Sequence, residues 1–299
     1  MNSSKVVLIA LLSVGFICIY ILPRILFSPK TAAETEKPYA EKTIDEVLDE
    51  AFQIIAITEN PPPQNVIKTT QRFNRYQARS GNELAPYIID YFWYAPNEPW
   101  PENIKFPLII HLHDQNSLAF SAEYMTQTNI RNNFPAFHFV PMLPPGATWA
   151  NYKEDPTLKM LPYISEYIDY VLVKYPVDPK RIYLVGCGAG GHGAFGAIAE
   201  RPDFYAAAVI INSDWNPAQA KKLAQTPLFM MMGEKNKQFS KTATIQITKD
   251  IRQLNGQAEY KEFTSMPHNC AFPPFYKAST WDWMFAHQSN ETKIQTLAQ

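Results

Sequence analysis

The sequence has few cysteines and few glycines for its length. Of 299 residues, only Cys18, Cys187 and Cys270 are cysteines, and 11 residues are glycines against 25 prolines. Three cysteines are too few for a fold held together mainly by disulfides, and their spacing does not match a structural zinc site. Because glycine is scarce, its clusters mark places where the backbone needs freedom or close packing.

An excess of charge of either sign is also missing. The chain has 27 Lys and Arg against 28 Asp and Glu, a formal net charge of -1. A phosphate-binding surface needs clustered basic residues, so we expect no nucleic-acid partner. The hydrophobic content of 46% is instead typical of one large globular domain with a continuous core.

One long uncharged run lies near the N-terminus. Val6 to Leu22, VVLIALLSVGFICIYIL, is just long enough to cross a bilayer as a helix. A cleaved signal peptide has a shorter apolar stretch and a small-residue cleavage site, for which Thr31-Ala32-Ala33 is a weak candidate. We predict a single-pass membrane anchor within residues 1–30, with a cleaved signal as the alternative. The flanking basic residues do not fix the orientation, and we expect an exported globular domain.

The rest of the chain divides into two further segments. Residues 31–65 predict a tether with a short helix, in which Thr43 and Glu46 form a capping box. Residues 66–299 predict one α/β domain that opens with an antiparallel hairpin of strands 72–79 and 87–94. The later predicted strands are 106–113, 137–141, 181–185, 206–211, 227–232 and 259–263, and the predicted helices are 161–174, 193–200, 242–254 and 279–288. This alternation favours a mainly parallel sheet with helices on both faces.

A family resemblance centres on the stretch from Val177 to Gly193, VDPKRIYLVGCGAGGHG. It resembles the nucleophile elbow of α/β-hydrolases of the polyhydroxybutyrate-depolymerase and feruloyl-esterase-like group, which includes secreted peptidases. Segments 106–114, 226–236 and 266–270 agree in order and spacing, and 283–288 closes the domain. The resemblance implies an α/β-hydrolase fold with a nucleophile, an acid and a histidine, and neither a cofactor nor a metal.

Two of these three positions depart from the family pattern. The family's elbow is G-x-S-x-G, whereas this chain has Gly186-x-Gly188-x-Gly190, so glycine stands where the serine belongs. The family's acid lies in a pattern like H-G-E-x-D, and this chain has Met-Gly-Glu-Lys-Asn ending at Asn236. An asparagine carries no charge and can favour the wrong tautomer of the histidine.

The third position is retained as His268, and the oxyanion loop is altered. The family's strand end is L-H-G, and here it is Leu112-His113-Asp114, which puts a carboxylate where negative charge would develop. We therefore predict a pseudoenzyme that binds a small molecule, a glycan or a protein in the old cleft. The alternative is a carboxylic-ester or peptide hydrolase that uses water activated by His268, or Cys187 or Ser213 as nucleophile.

Further residues near the elbow have competing interpretations. Cys187 precedes the elbow position, so its side chain should point away from the cleft. It could be a displaced nucleophile, a packed thiol or half of a disulfide with Cys270. Ala189 follows the elbow position and is expected to line the cleft. Ser213 and Asp214 follow a strand and should lie near the cleft mouth, where Asp214 could replace the acid or simply cap a turn.

An aromatic residue and the remaining histidines complete the candidates. Trp149 matches a pocket-lining position of the family, although an aromatic loop residue often only packs. His111 and His113 share one face of a strand and could pair as metal ligands, but no third ligand follows from the sequence. We interpret them, with His138 and His192, as structural and predict no metal.

Overall fold

The computed structural model describes residues 74–78, 87–114, 120–150, 159–270 and 277–289. All of them belong to one compact unit, Tyr39–Gln299. The anchor at Val6 to Leu22 and the helix at 43–57 fall outside the described residues, so they stay predictions, as do the segment boundaries. Within the described ranges, no helix combines the length and the apolar character that crossing a bilayer requires.

Eight strands form one sheet in the order β1-β2-β4-β3-β5-β6-β7-β8. They are β1 Asn74–Ala78, β2 Tyr87–Tyr94, β3 Phe106–Leu112, β4 Phe137–Pro141, β5 Val177–Cys187, β6 Ala207–Ile211, β7 Leu228–Gly233 and β8 Ala258–Phe263. β2 pairs antiparallel with β1 and with β4, and all other neighbouring strands are parallel. The predicted fold class, a mainly parallel sheet with an antiparallel N-terminal hairpin, is confirmed.

Seven helices connect the strands in the described part of the chain. They are α1 Phe120–Met125, α2 Thr128–Asn133, α3 Leu161–Lys174, α4 Ala189–Glu200, α5 Ala220–Leu223, α6 Lys241–Gln253 and α7 Ala278–Phe285. The prediction for α3 matches residue for residue, whereas α1, α2 and α5 were not predicted. With six, six and four residues, these three are too short to show a helical period.

The sheet separates two hydrophobic layers. Successive residues of one strand belong to different core clusters, as Leu184 and Val185 of β5 do. Tyr167 of α3 packs in the first cluster, and Trp281 of α7 packs in the second. Strands buried on both faces explain why the central segments of the sequence are continuously apolar. Each large side chain buried in this way contributes about 1.5–3 kcal/mol.

Helix α4 begins at Ala189, four residues before the predicted start at 193. The prediction was late because glycines at the start of the segment give it low helix propensity. The close approach of the helix to β3 explains the glycines, since a Cβ on Gly190 would lie 1.9 Å from the carbonyl oxygen of Leu112. Tertiary packing therefore overrides local propensity at this helix.

Candidate active site

The turn between β5 and α4 has the shape of a nucleophile elbow without a nucleophile. Its single residue, Gly188, has φ 56° and ψ -120°, a conformation that favours glycine. A Cβ on Gly186 would lie 2.4 Å from the carbonyl oxygen of Gly190, so the outer glycine of the motif is required by packing. The strand–turn–helix context that the motif demands is therefore present.

The side chain of Asp114 occupies the place of the missing serine. A Cβ built on Gly188 would lie 2.5 Å from Cγ of Asp114, and 2.6 Å and 2.8 Å from its two carboxylate oxygens. Atoms cannot approach so closely, so a serine at 188 and the present position of Asp114 exclude each other. Asp114 comes from the loop after β3, which would help to form the oxyanion hole in the resembling family.

Asp114 also takes over hydrogen bonds that a serine hydrolase uses for catalysis. Its Oδ2 lies 2.9 Å from Nε2 of His268, and its Oδ1 accepts from the backbone N–H of Ala189 at 2.9 Å. The N–H of the residue after the elbow is an oxyanion-hole donor in α/β-hydrolases. Ala189 also opens the 12-residue helix α4, whose N-terminus favours negative charge. A resident carboxylate thus uses the donors that would stabilise a transition-state oxyanion.

The contacts of His268 with Asp114 and Asn236 together indicate its tautomer. Oδ1 of Asn236 accepts from the backbone N–H of Gln238 at 2.8 Å and of Phe239 at 3.3 Å. Its Nδ2 therefore faces Nδ1 of His268, at 3.4 Å. An amide nitrogen can only donate, so Nδ1 accepts and the neutral ring carries its proton on Nε2, facing Asp114. A general base for serine needs the opposite tautomer.

Asn212 joins the loops of the site, a role that the sequence analysis missed. It directly follows β6 with φ 48°. Its Oδ1 accepts from the N–H of Gly233 at 2.8 Å and from Nδ2 of Asn236 at 3.1 Å, and its Nδ2 donates to the carbonyl of Asn269 at 2.8 Å. A polar residue directly after a buried parallel strand was the available signal.

A disulfide between Cys187 and Cys270 ties the elbow to the histidine loop, with a Cα–Cα distance of 5.7 Å. A disulfide sulfur is neither a thiolate nucleophile nor a metal ligand. This pairing therefore removes the interpretation of Cys187 as a displaced nucleophile. Asp114, His268 and Cys270 have potential ligand atoms within 4.8 Å of one another, but the sulfur is committed to the disulfide.

Ser213 lies behind the elbow and not in the cleft. It is 2% exposed, its hydroxyl donates to the carbonyl of Gly188 at 2.8 Å, and it packs against Gly191. Asp214 contacts Nε2 of His192 at 2.9 Å and accepts from the backbone N–H of Ser240 at 2.6 Å. Both residues therefore fasten α4 and the start of α6 to the end of β6.

Trp149 is hydrogen-bonded to the loop that carries His113 and Asp114. It is fully buried, and its indole N–H donates to the carbonyl of His113 at 2.8 Å. It also lines a cavity of about 350 Å³ together with Lys159 and Trp215. That cavity includes neither Gly188 nor His268, so the contacts of Trp149 favour the packing interpretation, and its role in a substrate pocket stays a prediction.

His111, near the end of β3, and His113, just after it, have separate structural partners. Nε2 of His113 accepts from the backbone N–H of Leu143 at 3.0 Å, and its Nδ1 donates to the carbonyl of Asp114 at 2.7 Å. Nδ1 of His111 lies 2.8 Å from the hydroxyl of Ser121. These contacts agree with their interpretation as structural residues.

Comparisons with known proteins agree with this architecture. The model of the dienelactone hydrolase family matches residues 146–294, about half of the chain. A thermostable esterase superposes with a TM-score of 0.64 at 21% identity, covering 72% of this chain and 63% of its own. A fluorophosphonate-binding serine hydrolase of Staphylococcus aureus has a TM-score of 0.55 at 15% identity, covering 72% and 97%. A ferulic acid esterase has a TM-score of 0.54 at 13% identity, with the same coverage.

These similarities concern the fold. The matched region spans less than two thirds of the length of the thermostable esterase. No protein with a curated description matches the sequence significantly. The solved structures establish the α/β-hydrolase fold, and their reactions belong to proteins that are at most 21% identical to this one.

Proposed function

Because this chain belongs to the α/β-hydrolase superfamily but has a carboxylate in the place of the catalytic serine, we propose that it is a non-catalytic member, a pseudoenzyme. The observation that carries the proposal is the position of Asp114. Its carboxylate fills the nucleophile site, contacts the retained His268 and accepts from the oxyanion-hole N–H of Ala189.

The site lacks each of the three features that acyl transfer requires. The reaction needs a nucleophile, a base that removes its proton, and donors that stabilise the oxyanion. Here position 188 has no side chain, His268 has its proton on the nitrogen that should accept, and Asp114 already uses the Ala189 donor. A substrate carbonyl would have to displace a carboxylate that matches these donors better than the carbonyl does.

In this proposal the cleft binds a small molecule, a glycan or a protein without cleaving it. The apolar run Val6 to Leu22 anchors the chain in a membrane, with the hydrolase-like domain on the exported side. The Cys187–Cys270 disulfide supports this location, because structural disulfides persist mainly in oxidising compartments.

The second candidate is a carboxylic-ester or peptide hydrolase with a non-standard nucleophile. The superfamily supports it, while the residue contacts favour the first proposal. Cys187 is half of a disulfide, and Ser213 lies behind the elbow. Activation of water by His268 would need a lone pair on Nε2, the nitrogen that faces Asp114.

A restoration experiment tests the pseudoenzyme proposal. The full-length parent, a Gly188→Ser, Asn236→Asp double variant and the same variant with Asp114→Gly are treated with a fluorophosphonate probe, and the labelled residue is mapped by mass spectrometry. We expect no label on the parent and little on the double variant, where Asp114 still occupies the site. The triple variant should be labelled at position 188 and hydrolyse p-nitrophenyl acetate at least about a hundredfold faster than the parent.

Two results would overturn the proposal. The first is labelling of the parent at Ser213 or elsewhere, or ester cleavage by the parent that His268→Ala abolishes. The second is a triple variant that is folded by circular dichroism yet inert, because Gly188, Asn236 and Asp114 would then not account for the missing chemistry.

A further inference from the structure

A second cavity lies at the opposite end of the central strands from the elbow. It has a volume of about 300 Å³. Phe106, the first residue of β3, lines it, whereas Leu112 at the other end of β3 pairs with Gly186, which precedes the elbow. Its volume is at the lower end of the range of small-molecule sites. A ligand here would not reach the Asp114–His268 pair.

Buried polar atoms without a partner are concentrated in this cavity. In the described part of the chain, four buried side-chain polar atoms have no hydrogen bond. Three of them belong to residues that line the cavity: the hydroxyl of Tyr94, Nε of Arg131 and Nε2 of His138. An unpaired buried polar atom costs about 1–3 kcal/mol, so three around one cavity indicate groups positioned for a ligand.

The strand register brings two of these groups together. Tyr94 of β2 is directly opposite His138 of β4 in the antiparallel pair, so both side chains lie on one face of the sheet. Tyr94 is 9% exposed and His138 is 2% exposed. The hydroxyl of Thr126 donates to the carbonyl of Ala122 at 2.7 Å but keeps lone pairs, so it competes with a ligand for the Tyr94 hydroxyl.

The third group supplies a positive charge. Arg131 lies in the last turn of α2, and within the described ranges no carboxylate forms an ion pair with it. Burial raises the pKa of the Tyr94 hydroxyl to about 12, and the contact with Thr126 and the charge of Arg131 act in the opposite direction. A guanidinium beside a cavity, with its Nε–H buried, favours a carboxylate or another planar anion.

A hydrogen-bonded chain can direct a third donor to the same place. Nε2 of His111 lies 3.0 Å from Nδ1 of His138, and Nδ1 of His111 lies 2.8 Å from the hydroxyl of Ser121. When Ser121 donates to His111 and His111 donates to His138, the remaining proton of neutral His138 is on Nε2, facing the cavity. Both rings are stacked and buried, and burial lowers the pKa of both.

We propose that this cavity is a binding site for a small aromatic or short-chain carboxylate. The carboxylate accepts from Arg131, Tyr94 and His138, while the apolar part of the ligand contacts Phe106 and Ala136. Three donors on the wall of one cavity fit an acceptor with two oxygens better than a neutral amide, which brings its own N–H groups. The site is independent of the proposed function, because it shares no residue with the elbow network.

Calorimetric titration of the full-length protein with benzoate tests the site, with benzamide as the neutral isostere. We expect benzoate to bind at least about tenfold more tightly than benzamide. Arg131→Met should weaken benzoate binding by about tenfold or more and Tyr94→Phe by about threefold. Lys221→Gln, an exposed change on α5, should leave the affinity unchanged.

The comparison of the two ligands on the unaltered protein needs no variant, so it stands even where a substitution impairs folding. Equal affinity for benzoate and benzamide, or no benzoate binding at millimolar concentration, would overturn the proposal. Undiminished benzoate binding by a folded Arg131→Met variant would overturn it as well.

Discussion

Buried polar groups are hydrogen-bonded at one end of the central strands and partly unpaired at the other. At the carboxyl end, Asp114, Asn212, Asn236 and His268 all have hydrogen-bond partners, and a disulfide closes the network. At the amino end, the cavity beside β2 and β4 contains buried polar atoms that have no partner in the described part of the chain. The end that resembles an active site is thus internally satisfied, and the end without a motif is not.

This difference separates similarity of motif from capacity to bind a ligand. A network whose donors and acceptors are all paired stabilises the protein and gains little from a ligand. Unpaired buried groups reduce stability until something binds them. Motif similarity therefore locates the elbow and its histidine, whereas the unpaired buried groups locate the cavity that we propose as a binding site.

Removal of the disulfide should have the largest effect on stability. Cys187 and Cys270 are 83 residues apart in sequence, so their link removes considerable freedom from the unfolded chain. The Cys187→Ala, Cys270→Ala double variant should lose about 4 kcal/mol of unfolding free energy in urea denaturation. Treating both proteins with reductant is the control, because it should abolish the difference. A loss below about 1 kcal/mol would show that the network holds the site without the disulfide.

Lowering the pH tests the buried histidines beside the cavity at the amino end of the strands. Burial lowers the pKa of His138 to about 3 and that of His111 well below its ordinary value. Both are therefore neutral in the folded protein but become protonated in the unfolded chain below about pH 6.5. The free energy of unfolding is therefore not reduced by these histidines above that pH. It falls as the pH decreases toward about 3, by about 1.4 kcal/mol per pH unit for each histidine.

Urea unfolding between about pH 7 and pH 5 measures this slope. His138→Gln should reduce this slope by about 1.4 kcal/mol per pH unit. His287→Gln, a half-buried histidine just after α7, is the comparison variant. If His138→Gln left the slope unchanged, His138 would not be held neutral in the folded state.

A pair of small substitutions sharpens the comparison between the two ends. Asn212→Gly keeps the positive φ but removes three hydrogen bonds from the paired end, and it should cost about 2 kcal/mol of unfolding free energy. Tyr94→Phe removes an unpaired hydroxyl from the cavity end, and it should raise the unfolding free energy by about 1 kcal/mol in ligand-free protein.

Each substitution has a matched control. Asn255→Gly makes the same change at an exposed position with φ 60°, and it should stay within about 0.5 kcal/mol of the parent. Tyr183→Phe removes a hydroxyl that donates to His287 at 2.9 Å, so it should destabilise the protein where Tyr94→Phe stabilises it. Loss of stability in Tyr94→Phe would indicate that its hydroxyl is already paired in solution.

The elements of the fold were largely predictable, while their short connections were not. Strand β2 and helix α3 were predicted with their observed bounds, because β2 is rich in aromatic and β-branched residues and α3 has a helical periodicity. Helices α1 and α2, which carry Ser121 and Arg131, are too short for a periodic signal. The cavity was therefore not predicted, because its residues come from separate elements with no shared motif.

The sequence by itself determined the resemblance to α/β-hydrolases and the absence of two catalytic side chains. The spacing of Gly186, Gly188 and Gly190, with Asn236 and His268 in order after them, predicts an α/β-hydrolase elbow without its serine and its acid, since these signals are local in the chain. Only the tertiary structure decided what replaces them. Asp114 reaches the serine site from a loop that is distant in sequence, and whether its carboxylate points away from the elbow or fills it depends on packing that no local pattern encodes.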